Sequence, residues 1–110
     1  MIKLLYDTKI MLSSERQIVD DIEAHIASRG GAYSEWYVGI TRDPEQRLFT
    51  DHNVNRNTDK WFYKKATSST SARNIENYFI NSHGTDGGTG GGDDNTDYVY
   101  AYRKNSHTRE

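Results

Sequence analysis

Apolar positions along the chain fall into a few short patterns, each with its own period. Ile18, Ile22 and Ile26 recur every four residues, which is the spacing of one stripe on a helix. Ser14 is placed to open that helix, with Gln17 three residues on as a capping-box partner. Gly30 and Gly31 close it. Residues 36 to 41, WYVGIT, change to a period of two and predict a strand. Trp36, Val38 and Ile40 face one side of it, and Tyr37, Gly39 and Thr41 the other. Asp43 and Pro44 predict a helix start, the acid as cap and the proline in the first turn. A polar loop over 53 to 60 leads to a second strand, WFYKKAT, at 61 to 67. Ser68 to Ser71 supply hydroxyls for a third helix, expected to run to about His83 and stop at Gly84. Residues 84 to 97 read as a glycine-rich connector. DYVYAYRK, 97 to 104, alternates strictly and predicts a last strand. Residues 2 to 6 suggest one more short strand.

This order predicts a single α+β domain over 1 to 110, with a small, mainly antiparallel sheet of three or four strands flanked by about three helices. The length allows one core. Apolar residues make up 34%, so that core is small, and eight tyrosines and two tryptophans must supply much of its area. The absence of cysteine excludes a disulfide framework and a cysteine zinc site. No apolar run is long enough for a membrane span, and the first residues lack the continuous apolar stretch of a secretion signal, so a cytoplasmic protein is expected. The formal charge of −2 argues against a nonspecific polyanion binder, because such binding runs on clustered Lys and Arg.

Three side chains carry chemistry. Glu76 lies within the apolar face of its own helix, between Ala72 and Ile80 and flanked by Ile75 and Phe79. A carboxylate there requires a partner or a cation. Arg47 lies early on a helix that follows a strand, where a guanidinium can fork onto a phosphate. Tyr37 shares its strand face with Gly39, which leaves room beside the phenol. Taken singly, each has a commoner role: a structural ion pair, a solvated helix arginine and a packing tyrosine.

Taken together, the ordered set resembles the GIY-YIG endonuclease family. The residues that carry the resemblance are Tyr37-Val38-Gly39, then Arg47 eight residues after the glycine, then Glu76-Asn77-Tyr78-Phe79-Ile80 in a helix. Asp43-Pro44 and Arg47-Leu48 look like the family's strand-to-helix junction. The likeness covers roughly residues 33 to 83. It implies a nuclease that cuts DNA phosphodiesters with one magnesium or manganese ion on Glu76. It further implies that Arg47 holds the scissile phosphate, with Gly39 and Arg42 beside the substrate, and that a tyrosine activates the nucleophile. One such site cuts one strand, so double-strand cleavage needs a homodimer or two encounters. The alternative is a nucleic-acid or protein-binding module that kept the scaffold and lost catalysis.

The family's first half-motif, Gly-Ile-Tyr, has no separate strand upstream of Tyr37; Gly31-Ala32-Tyr33 is too close to form one. The strand at 97 to 104 is therefore expected to join the sheet in its place, and Tyr100 to stand in for its tyrosine. His52 is a further catalytic candidate. It follows Arg47 by five residues, which on an α-helix sets it about 140° round from the arginine. Asn95 is a minor candidate for the asparagine that the family carries late in the domain.

Overall fold

The computed structural model describes residues 12–88 and 93–110, so the strand expected at 2 to 6 lies outside the described residues. Helix α1 spans Ser13–Arg29. It starts one residue before the predicted serine, and the back-capping acid is Glu15 rather than Gln17: the Leu12 N–H donates to its carboxylate at 3.2 Å. Gly30 ends the helix at φ 87°, donating to the Ile26 carbonyl at 2.8 Å. A positive φ suits glycine because it has no Cβ to clash.

Strands β1 (Trp36–Thr41), β2 (Trp61–Lys65) and β3 (Tyr98–Arg103) form one antiparallel sheet in the order β1-β3-β2. The C-terminal strand is therefore the central one. Val38 pairs with Ala101, Gly39 with Tyr100, and Tyr63 with Tyr100 on the other side. The predicted strand at 61 to 67 stops at Lys65, after which the Ala66 N–H still reaches the Asp97 carbonyl at 2.7 Å.

The period-two pattern divides the core. Trp36, Val38, Val99 and Ala101 pack against Ile18, Val19, Ile22 and Ile26 of α1 and against Ala72, Ile75 and Phe79. Tyr37, Tyr100 and Tyr102 point to the opposite face, where Leu48 and Val54 cover them and Trp61 and Tyr63 extend the layer. Helix α2 (Ser69–Tyr78) starts on Ser68, whose hydroxyl accepts from the Ser71 N–H at 3.0 Å. Its last turn, Phe79–His83, is wound as a π-helix and ends on Gly84 at φ 76°.

The glycine-rich connector does more than return the chain. Its first residues run along the outer edge of β1: the Val38 N–H donates to the Asp86 carbonyl and the Asp86 N–H to the Trp36 carbonyl, both at 2.9 Å. An edge strand with open N–H and C=O groups invites association, and this segment satisfies two of them, the Val38 N–H and the Trp36 carbonyl. Gly87 is needed there, since a Cβ would stand 2.5 Å from Ile80 and 2.7 Å from the Val38 carbonyl.

Candidate functional site

The site grows from the tyrosine face of the sheet and from the turn beyond β1. Asp43 caps that turn as predicted, accepting from the Gln46 N–H at 3.1 Å. The chain then winds as a π-helix over Gln46–Asp51, with the His52 N–H bonded to the Arg47 carbonyl at 2.9 Å. This corrects the expected separation of Arg47 and His52. Five residues are about 140° apart on an α-helix, but a turn closed from residue i to i+5 stacks them. His52 therefore comes under the sheet on the same side as Arg47, and it is buried.

His52 Nε2 and the Tyr100 hydroxyl are 2.7 Å apart. His52 Nδ1 lies 2.5 Å from the Arg109 carbonyl, which can only accept. Nδ1 therefore carries the hydrogen, and Nε2 accepts from the Tyr100 O–H. The Tyr37 phenol and the Arg47 guanidinium lie close enough to Tyr100 to influence its titration. The Tyr37 and Tyr100 rings are stacked with centroids 6.1 Å apart. Tyr37, Tyr100, His52 and Arg47 are thus one connected group drawn from three segments of the chain.

Gly39 makes the group possible. It sits opposite Tyr100 across the β1–β3 ladder, and a Cβ at this position would stand 2.5 Å from the Tyr100 hydroxyl and 2.6 Å from Cζ. The Tyr100 ring lies over the glycine backbone. Gly39 contributes by having no side chain, and the structure gives it a role in shaping the site.

Burial shifts the titrating groups in opposite directions. It raises the Tyr37 phenol, which also feels Glu76 and Asp86, while Tyr100 and Arg47 oppose the rise. It raises Tyr100 far more. It lowers His52, assisted by the Arg47 charge and opposed by the Arg109 carbonyl. The histidine is consequently neutral and able to accept a proton, whereas neither tyrosine is a standing phenolate.

Glu76 lies on α2 and is 5% exposed. Burial pushes its carboxyl up to about 7, with the Arg73 charge opposing. No hydrogen bond to its carboxylate is found among the described residues. Its charge is felt at Tyr37, as is that of Arg47, with opposite effects on the phenol. Among the described residues no cluster of three or more His, Asp or Glu side chains is arranged to hold a metal ion. A desolvated carboxylate without a hydrogen-bond partner still fits one hard cation that draws its other oxygens from water and phosphate.

The remaining candidates are peripheral. Arg47 is half exposed and meets Asp51 at 3.3 Å, an exposed pair that contributes little and can exchange for a phosphate. Arg42 is exposed beyond the end of β1. Asn95 is exposed in a turn held by the Thr96 N–H to the Asp93 carbonyl at 3.0 Å. Sequence reasoning missed the segment after β3. Arg109 joins His52, and no residue type or spacing in the sequence signals a contact made by main chain.

No helix among the described residues is long and apolar enough to cross a membrane. Comparison with protein-family models, curated proteins and solved structures finds no match.

Proposed function

We propose that the chain is a divalent-metal-dependent endonuclease that hydrolyses DNA phosphodiesters, a divergent protein of the GIY-YIG type. The observation that carries the reading is the convergence on Tyr37. Its phenol feels the charges of both Arg47 and Glu76, and its ring stacks on Tyr100, whose hydroxyl is hydrogen-bonded to His52. A buried carboxylate with no hydrogen bond among the described residues, close enough for its charge to act on the Tyr37 phenol, works against stability and so supports a functional role.

In this reading Arg47 leaves Asp51 and forks onto the scissile phosphate. Glu76 would hold magnesium or manganese, which would supply positive charge for the leaving 3′ oxygen. The nucleophilic water gives its proton to the Tyr37 oxygen as the Tyr37 proton passes, through a bridging water, to Tyr100 and the Tyr100 proton to His52 Nε2. The histidine becomes imidazolium and both phenols are regenerated. The resulting hydroxide bonds to phosphorus, the bond from phosphorus to the 3′ oxygen breaks, and the leaving oxygen takes a proton from solvent. Passing the proton along spares either tyrosine from ionising alone, which their raised pKa values make costly.

The test is nicking of supercoiled plasmid with magnesium, with manganese and with chelator. Metal-dependent conversion to open circles is the expected result. DNA binding without nicking under any metal would favour the non-catalytic module.

A further inference from the structure

The segment after β3 folds back on the site. Asp59 anchors it, accepting from Asn105 Nδ2 at 2.9 Å and lying 2.6 Å from His107 Nε2. Asn53 Nδ2 donates to the His107 carbonyl at 3.0 Å. The segment then grips His52 twice through main chain. The Arg109 N–H donates to the His52 carbonyl at 2.8 Å, and the Arg109 carbonyl meets Nδ1 at 2.5 Å. The Tyr102 hydroxyl completes the contact, 3.2 Å from the same carbonyl and 3.0 Å from Nδ1. The other groups facing the imidazole are Tyr37 and Tyr100, with the charges of Arg47 and Asp51 close enough to act on it.

We infer that the main chain at residue 109 is a positioning element that fixes His52 as its Nδ1–H tautomer, so that Nε2 always presents a lone pair to Tyr100. This rests on the nuclease reading for its purpose and on the contacts above for its geometry. A neutral histidine in water favours the other tautomer, with hydrogen on Nε2. That tautomer would confront the Tyr100 hydroxyl with a donor and break the relay at its last step. A carbonyl can hold Nδ1–H as a carboxylate does, without adding a charge to a buried site. The arrangement also makes the segment 105–110 part of the site, since its anchors on Asn53 and Asp59 help to hold the carbonyl in place.

The experiment uses the full chain, labelled with nitrogen-15, and reads the His52 ring nitrogens by NMR at neutral pH. The wild-type protein is expected to show one neutral tautomer, Nδ1–H. Arg109→Pro removes the N–H that grips His52, and Asn53→Ala, a milder change, releases the His107 carbonyl. Each is expected to bring in the Nε2–H tautomer while the amide shifts of the three strands stay in place. Plasmid nicking should fall at least tenfold in kcat in Arg109→Pro, with KM little changed. If His52 stays purely Nδ1–H in both variants, or if the tautomers mix without loss of kcat, the inference is overturned. A wild-type protein that does not nick at all counts against the nuclease reading alone, and the ring nitrogens then still decide whether residue 109 holds the tautomer.

Discussion

Replacing Glu76 with glutamine separates a functional carboxylate from a structural one, because the two predict opposite signs for stability. The folded protein holds the Glu76 proton more tightly than the unfolded chain does, since burial raises its pKa from 4.5 to about 7. Below about pH 4 the group is neutral in both states and contributes no penalty. As the pH rises through the interval from 4.5 to about 7, the unfolded chain releases the proton first, and the folded state loses stability. Above that interval the ionised carboxylate costs the fold roughly 3 kcal/mol, at about 1.36 kcal/mol per pKa unit. Glutamine is nearly the same size and cannot ionise. Glu76→Gln is therefore expected to match the wild type at pH 4 and to exceed its stability by up to roughly 3 kcal/mol at pH 8. Urea unfolding followed by tryptophan fluorescence across pH 4 to 8 measures the difference directly, and comparing the two proteins cancels the other titrating groups. Magnesium should stabilise only the wild type at pH 8, by about 2.7 kcal/mol at a hundred times its Kd. Plasmid nicking by the variant should be lost. A variant less stable than the wild type at pH 8 would refute the reasoning, because it would mean that Glu76 is held in a favourable ion pair.

Arg47→Ala should reduce turnover at saturating DNA by at least roughly a hundredfold, the usual loss for a donor that meets developing charge. If only salt-dependent binding weakens and saturated turnover holds, Arg47 is a tether. Tyr100→Phe removes the middle of the proton relay and leaves His52 Nε2 without its partner; nicking should fall by about a hundredfold or more. Unchanged single-turnover nicking by that variant would exclude the Tyr100–His52 path. Gly39→Ala puts a methyl where the Tyr100 ring lies. Overpacking of this kind costs about 1–3 kcal/mol, and a shift of the Tyr100 and His52 resonances should accompany the lowered urea midpoint.

The fold was legible wherever the period of the apolar pattern decided the matter. Alternation placed Tyr37 with Gly39 on one face of WYVGIT and Tyr100 with Tyr102 on one face of DYVYAYRK, and the register of the sheet brings the two faces together. Caps were legible where a side chain makes them, as at Asp43 and Ser68. They were missed at α1, where the back-capping side chain lies two residues nearer the start than the pattern suggested. The position of His52 could not be read, because nothing in QRLFTDH marks a π turn and the spacing argument assumed 3.6 residues per turn. The Asp86 pairing and the Arg109 clamp were also hidden. Both are made by backbone groups, which every residue carries alike.

The strand order explains why residues 33 to 83 do not by themselves make the site. That span includes β1 and β2, yet these two strands never pair. Among the strands each pairs with β3 alone, so without residues 98 to 103 the inner edges of both would lose their ladder partners. The same strand carries Tyr100 over Gly39 into reach of His52, and the segment behind it brings the Arg109 carbonyl to the other side of that ring. Its inward face also supplies Val99 and Ala101 to the core beneath α1 and α2. One strand thus closes the sheet, completes the core and joins the catalytic candidates, so a defect in its docking would reach stability and the site together. The two remain separable only at the hydroxyl of Tyr100, whose removal leaves the ring, and so the packing, in place.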